Sequence, residues 1–272
     1  VWDVAVLTLY LVLSIFYLRN CVRAEKGIAG HLSQKVFSTV ALLVAILVHS
    51  VTAWVFSLEV SHEFWHTALM APWFVVSALS SGLALVIVVC VVLSKTGYLE
   101  LGQDLLGKLV RLLGVFVAVD LFFLGCDVLT CAYGNADGRE IAQMLTIGAL
   151  APFFWTEVLG GLVAMFLCFY PKMRTRGWAT VAAALAIIGV FCKRCQIILA
   201  GFGITNIDGA GVTVYSSFPL SDIGQSCANI FSNLVYFPSP FEFLVVLCVI
   251  ASGVAVFALG VRCLPLRPSE EQ

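Results

Sequence analysis

The sequence is poor in charged residues. Only 11% of its 272 residues are Asp, Glu, Lys or Arg, whereas 61% are hydrophobic, and the mean hydropathy is +1.03. A soluble domain needs roughly a quarter of its residues charged to cover its surface, so the composition excludes that class. The formal net charge of −1 gives no electrostatic reason to expect a nucleic-acid partner.

Motifs for a metal or a nucleotide are also missing. Cys192 and Cys195 form a C-x-x-C pair, a spacing that suggests metal or redox chemistry. No second pair and no nearby histidine completes a site, and most of the ten cysteines lie in apolar runs, where cysteine packs as a small hydrophobe. We therefore expect no bound haem, metal or nucleotide and no disulfide framework.

What the sequence does contain is a series of apolar runs long enough to cross a bilayer, which takes roughly 20 residues of helix. Backbone groups in lipid must be paired within the segment, so helices are the default. The sequence therefore predicts an all-α integral membrane protein with about seven transmembrane helices. The predicted spans are Val4–Leu18, Val36–Phe56, Thr67–Leu93, Leu106–Cys131, Met144–Phe169, Trp178–Phe202 and Pro240–Cys263.

The loops predict an orientation. Lys and Arg concentrate in alternate loops, which the positive-inside rule assigns to the cytoplasm, so residue 1 is predicted outside and Gln272 inside. Trp54, Trp65 and Trp73 lie near the predicted outer ends, as interfacial anchors would. The outer loop 203–239 caps the outer face, contacts a partner or is simply solvated. Since the chain opens at Val1 inside an apolar run, we expect it to be part of a longer protein.

Ionisable residues inside the spans are the first candidates for function. Such groups usually face a bundle interior, pair with one another or line an ion path. Three acids and two bases share one depth range on three consecutive spans, and a further acid lies at the outer end of the last. They form either a structural cluster or a proton route or polar ligand site. They are Asp120, Asp127, Glu157, Lys193, Arg194 and Glu242.

Histidines on the outer half are the second set of candidates. His49 is predicted about two turns below the outer surface, and His66 lies at that surface. An imidazole there can hydrogen-bond a quinone carbonyl and take a proton when quinol is oxidised. The alternative is a histidine satisfied by a neighbouring helix or by the interface. Asp3 lies at the same edge and is a further candidate for quinone binding.

One stretch of the chain carries a family resemblance. It contains His49-Ser50-Val51, Trp65-His66, Pro72-Trp73-Phe74-Val75 and Ser81-Gly82. This pattern resembles the NrfD/polysulfide-reductase membrane-subunit family. Weaker similarities, in Val1–Val4, in Tyr236-Phe237-Pro238 with Glu242, and in Leu264-Pro265, extend the resemblance over nearly the whole chain.

The resemblance implies a subunit of a respiratory complex in a prokaryotic inner membrane. Such a subunit exchanges electrons between menaquinone or ubiquinone and a four-cluster iron–sulfur subunit, which serves a molybdopterin enzyme or a multihaem cytochrome. Some members have a proposed proton path in the second of two helix bundles.

By the same resemblance, residues 1–272 form one polytopic membrane domain that lacks roughly three N-terminal helices of the ten-helix form. Residues 1–95 would be the remainder of the first bundle and residues 106–263 the second. Two readings from other classes fit the spans and the intramembrane charges. They are a proton-coupled transporter or channel and a seven-helix receptor.

Overall fold

The computed structural model describes residues 2–25, 31–59, 64–134, 136–148, 150–203 and 239–263, so most of the predicted outer loop, residues 204–238, lies outside the described residues. The described residues form eight α-helices, a 3-10 turn at Pro171–Met173 and no strand. The helices are α1 Trp2–Glu25, α2 His31–Ser57, α3 Met70–Lys95, α4 Gln103–Tyr133, α5 Ala136–Thr146, α6 Ala151–Phe169, α7 Arg176–Gly203 and α8 Pro240–Cys263.

Seven of these helices are long and apolar enough to cross a membrane, all except α5. The predicted all-α class and number of spans are therefore confirmed. The predicted start of the fifth span is wrong, because α5 ends at Thr146 and α6 begins only at Ala151. Pro152 lies in the first turn of α6, where a residue without an N–H is tolerated because that group has no intrahelical partner.

The sequence analysis assigned the residues of α5 partly to a loop and partly to the start of a transmembrane span. Helix α5 is amphipathic, and Ile141 and Leu145 on one face are almost completely buried. It packs against α4, α6 and α7 at the predicted outer end of the bundle. The indole Nε1 of Trp155 donates a 3.0 Å hydrogen bond to the Thr146 carbonyl and so fixes the junction between α5 and α6.

The long helices pack in a continuous series. Helix α2 contacts α1 and α3, α3 contacts α4 and α7, and α6 contacts α4 and α7. The side chains of α8 from residue 240 to residue 259 are all exposed. The predicted division of the chain into two helix bundles, residues 1–95 and residues 106–263, stays a prediction.

The core is divided into two apolar clusters stacked along the helix axes. The inner cluster includes Ile87, Leu106 and Leu113, and the outer cluster includes Met70 and Leu150. All five side chains are almost completely buried. The residues between these clusters are unusually polar for a membrane bundle, and they form the candidate site described below.

The prediction that Trp65 and Trp73 are interfacial anchors is wrong. Both indoles are buried in the outer cluster. The Trp65 Nε1 donates a 2.8 Å hydrogen bond to the Ile197 carbonyl and ties the segment between α2 and α3 to α7. Trp54 is exposed, as an anchor would be.

Helices α4 and α6 approach each other closely at Gly114. A Cβ atom at this position would lie 2.8 Å from the Cβ of Cys168, whereas a Cβ at Gly107, two turns earlier on α4, would meet nothing within 4 Å. We expect Gly114→Ala to destabilise the bundle by about 1–3 kcal/mol through overpacking. Gly107→Ala should be neutral or slightly stabilising, because alanine favours helix over glycine.

The two variants form a matched pair on one helix. Thermal unfolding of each purified protein in detergent, followed by size-exclusion chromatography after heating, measures the difference. Equal midpoints for Gly114→Ala and Gly107→Ala would contradict the close approach of α4 and α6.

Candidate functional site

A layer of polar side chains separates the two apolar clusters, and we call it the polar layer. On each contributing helix the polar residue lies between a residue of the inner cluster and one of the outer cluster. On α4, for example, Asp120 lies between Val117 and Leu124. The polar layer consists of the buried side chains of Ser77, Asp120, Glu157, Lys193 and Gln196, together with the partly buried Arg194.

Lys193 is the centre of the polar layer. Its ammonium group forms an ion pair with Asp120 of α4 and lies 3.9 Å from Oε1 of Glu157 on α6. The Gln196 Nε2 donates a 2.8 Å hydrogen bond to the other Glu157 oxygen, Oε2. The ammonium group also lies 4.3 Å from the centroid of the Trp73 ring on α3. One cation thus joins four helices in an environment where an unpaired charge is costly.

Arg194 extends the polar layer toward α2. Its guanidinium carbon lies 4.0 Å from the centroid of the Phe74 ring, and its Nη2 donates a 3.2 Å hydrogen bond to Ser77 Oγ. The Ser77 hydroxyl in turn donates to the Phe74 carbonyl at 3.0 Å. The side chain is close enough to the carboxylate of Asp120 for their charges to interact.

Asp127 lies on α4 two turns beyond Asp120 toward the predicted outer end. Asp127 is only 4% exposed, and it forms no ion pair or hydrogen bond with the residues that the structure describes. It is within electrostatic range of Lys193. Asp127 therefore continues the acidic side of the polar layer toward the predicted outer end of α4.

The structure places His49 within electrostatic range of the polar layer, which the sequence analysis did not predict. The imidazole is half-buried on α2 and is within electrostatic range of the Arg194 guanidinium. Asp3, at the start of α1, accepts a 3.3 Å hydrogen bond from Thr52 Oγ1, one turn beyond His49 on α2. His49 and Asp3 therefore lie near the same edge of the bundle, and their role in quinone binding stays a prediction.

His66 and Glu242 lie apart from this group. The Nδ1 of His66 is 2.9 Å from the carbonyl of Ser57, so the exposed imidazole covers the end of α2, about 12 Å along the axis from His49. The Oε2 of Glu242 accepts a 3.3 Å hydrogen bond from the Ser239 N–H, and its own N–H donates to Ser239 Oγ at 3.4 Å. This reciprocal pair is a capping box that starts α8. The described contacts do not bring either residue to Lys193.

Several residues that belong to the polar layer or contact it were missed as site residues in the sequence. Trp73 and Phe74 are consecutive on α3 and face the consecutive Lys193 and Arg194 of α7, one aromatic ring to each cation. Gln196 could have been found, since it lies three residues after Lys193 and therefore on the same face of α7. Ser77 gave no signal, because serine is common among the small residues of transmembrane helices.

Comparison with known proteins identifies the family. The profile of the polysulphide reductase NrfD family matches residues 1–206, which is well over half of the chain. The chain belongs to the NrfD family. The resemblance seen in the sequence is therefore confirmed.

Curated proteins similar to this NrfD chain include membrane subunits. It is 28% identical to a putative membrane subunit of a dimethyl sulfoxide reductase from Halobacterium salinarum, and 27% identical to an Hdr-like menaquinol oxidoreductase integral membrane subunit of Archaeoglobus fulgidus. Both alignments cover 98% of this chain and 65% of the relative, so the chain spans slightly less than two thirds of their length. A third relative, a subunit of a selenate reductase from Mesobacillus selenatarsenatis, is 23% identical over 69% of this chain and 44% of its own length.

The NrfD pattern converges on α7 in the structure. Trp65 bonds to Ile197, Trp73 lies against Lys193, and Phe74 lies against Arg194. Two residues that carried the resemblance, Trp73 and Phe74, therefore contact the buried Lys193 and the partly buried Arg194. No group of three or more His, Cys, Asp or Glu side chains suited to a metal occurs among the residues that the structure describes.

Proposed function

We propose that this chain exchanges electrons between a quinone pool and an iron–sulfur partner subunit, as the membrane subunit of a respiratory oxidoreductase complex. The observation that carries the proposal is the half-buried His49 beside the polar layer in a chain of the NrfD family. Quinol oxidation releases two electrons and two protons. The electrons go to the partner, His49 is suited to accept the proton of one quinol hydroxyl, and the proton of the other hydroxyl passes to water at the outer surface.

Menaquinone is the quinone we favour. The support is the name of the Archaeoglobus relative, a menaquinol oxidoreductase subunit, and that chain is longer than this one. Ubiquinone is the alternative. Asp3 and His66 are secondary candidates for quinone contacts, because Asp3 neighbours His49 on α2 through Thr52 and His66 lies at the same end of α2.

The polar layer is proposed to move protons as well as to hold the helices together. Asp120, Lys193 and Glu157 form a contiguous ionic group, and Asp127 continues it outward. Carboxylates on either side of a single ammonium group can exchange a proton through it or through intervening water. Glu242 stays a candidate for the outer end of this proton path.

The proposed partners are a four-cluster iron–sulfur subunit and a catalytic molybdopterin or multihaem cytochrome subunit. The relatives' names support membership in a multisubunit reductase or oxidoreductase complex. We propose a prokaryotic inner membrane, with residue 1 outside and the C-terminus in the cytoplasm, from the distribution of Lys and Arg. In the family's two-bundle arrangement, residues 1–95 would complete the first bundle and residues 106–263 would form the second.

The buried charges also suit a proton-coupled transporter or channel. The test that separates the two is purification of the full complex from its native membrane, followed by identification of its subunits and addition of a menaquinol analogue. Co-purification of an iron–sulfur subunit whose clusters are reduced by the quinol supports the proposal. A chain that purifies without redox partners and conducts protons without quinone would overturn it.

A further inference from the structure

Two buried polar atoms near Lys193 have no hydrogen-bond partner among the residues that the structure describes. They are the indole Nε1 of Trp73 on α3 and the carboxylate Oε1 of Glu157 on α6. Each of these residues is only 3% exposed, so bulk water does not reach the two atoms. A donor or acceptor that is buried without a partner is costly, and ordered internal water is the usual way in which such groups are satisfied.

The ammonium group of Lys193 is close to both side chains. Its Nζ lies 4.3 Å from the centroid of the Trp73 ring and 3.9 Å from Glu157 Oε1, which is too far for a direct hydrogen bond. A water molecule that bonds to both Nζ and Oε1 at roughly 2.8 Å spans such a separation. The ammonium group has donors to spare, because it carries three N–H groups and its hydrogen bond in the described bundle goes to Asp120.

The charges around this site favour a neutral occupant. The ammonium group repels a cation, and the carboxylates of Asp120 and Glu157 repel an anion. A buried water molecule needs two to four polar partners. Lys193 offers donors, Glu157 offers an acceptor, and the Trp73 indole offers a further donor, so these three side chains meet that need.

The same site interrupts the hydrogen bonds of the polar layer. On one side, Lys193 bonds directly to Asp120 of α4, and on the other, Gln196 bonds to Glu157 Oε2 at 2.8 Å. Between the two parts lies the 3.9 Å separation of Lys193 Nζ from Glu157 Oε1. A proton moves along hydrogen bonds, so transfer from α4 to α6 needs a bridge at this point.

We propose that at least one water molecule is bound between Lys193 and Glu157, is held in place by the Trp73 indole, and relays protons; its relay role rests on the proton route proposed above. Asp120 in its carboxylic form gives its proton to Lys193, Lys193 gives one of its protons to the water, and the water gives one to Glu157 Oε1. One proton has then moved from Asp120 to Glu157, and the ammonium group and the water are regenerated. Trp73 is a positioning residue.

The direct test is cryo-electron microscopy of the complete complex in lipid nanodiscs, at a resolution that shows ordered water. We expect density within about 3.2 Å of both Lys193 Nζ and Glu157 Oε1. A direct hydrogen bond between these two atoms, or no density between them where other internal waters are visible, would overturn the water site.

Trp73→Phe tests the positioning role, since it removes the indole N–H and keeps an aromatic ring beside Lys193. In liposomes that contain the complex and a pH-sensitive dye, the initial rate of proton translocation should fall about 2- to 10-fold, the size of one net hydrogen bond. Quinol oxidation with a protonophore present should be unchanged, whereas general damage to the bundle would slow both rates. The matched control is Trp54→Phe, because Trp54 is exposed on α2.

The outcomes separate this inference from the function on which it rests. If the unsubstituted complex oxidises no quinol, the quinone function is wrong, and if it oxidises quinol but moves no protons, the relay is wrong. Proton translocation in Trp73→Phe at the rate of Trp54→Phe would reject the positioning role. If Trp73→Phe does not assemble, Glu157→Gln decides, since it keeps the shape of the side chain but cannot accept the proton, and unchanged translocation in that variant rejects the relay.

Discussion

Replacement of Lys193 by methionine should strongly destabilise the bundle. Methionine fills a similar volume but removes the cation that lies between Asp120 and Glu157. Breaking a buried ion pair by removing one partner typically costs about 3–5 kcal/mol, because the other charge is left without compensation. Here two carboxylates from two different helices, α4 and α6, lose the same counter-charge.

The measurement is thermal unfolding in detergent with a thiol-reactive dye, for which the chain supplies ten cysteines. The matched control is Lys172→Met, since Lys172 is exposed in the turn between α6 and α7. An exposed lysine contributes little to stability. A Lys193→Met midpoint equal to that of Lys172→Met would show that the ion pair does not hold α4 and α7 together.

A double substitution distinguishes lost charge balance from lost packing. Asp120→Asn added to Lys193→Met removes one of the two uncompensated carboxylates. We expect the double variant to be more stable than Lys193→Met alone, because the two sites are directly coupled and their effects are not additive. If the double variant is less stable by the sum of the two single changes, the destabilisation comes from packing.

Replacement of His49 by alanine should abolish quinol-linked turnover of the complex. General acid–base catalysis by a positioned side chain contributes about 10²- to 10⁴-fold, so we expect a loss of that size. His49→Gln keeps hydrogen-bonding capacity but cannot accept the proton, and it should be almost as slow. Turnover with an artificial electron donor that reduces the iron–sulfur partner directly should be unchanged, since that route bypasses the quinone.

The control for this experiment is Ser50→Ala. Ser50 is adjacent to His49, and its hydroxyl donates a 2.9 Å hydrogen bond to the Ile46 carbonyl of its own helix. Both variants should assemble with the partner subunits to the same extent. Unchanged quinol-linked turnover in His49→Ala, with intact assembly, would reject His49 as the proton acceptor.

The local sequence determined which segments are helices. Long apolar runs have few alternatives in a bilayer, because every backbone N–H and C=O must be paired within the segment. The same reasoning failed at residues 144–150. The break between α5 and α6 lies within an apolar run, so hydropathy did not indicate it. The break depends on Pro152 and on the packing of α5 across the ends of its neighbours.

The candidate site was predicted only in part. The acids and bases were found from the sequence, because ionisable residues stand out within apolar spans. The sequence could not show which of these residues pair, because it does not specify how each helix is rotated about its axis or which helices are neighbours. The tryptophans show the same limit, because Trp65 and Trp73 lie near helix ends in the sequence yet are buried in the outer cluster.

By itself, the sequence determined that the chain spans a membrane as α-helices, that it resembles the NrfD family, and which residues could carry charge there. Only the tertiary structure decided that α3 lies between α2 and α7, which brings His49 near Arg194 and joins the histidine edge to the polar layer. The physical reason is that the apolar pattern specifies burial in lipid for each helix separately. Side-chain contacts such as Trp73 with Lys193 and Arg194 with Ser77 form only once the helices have packed.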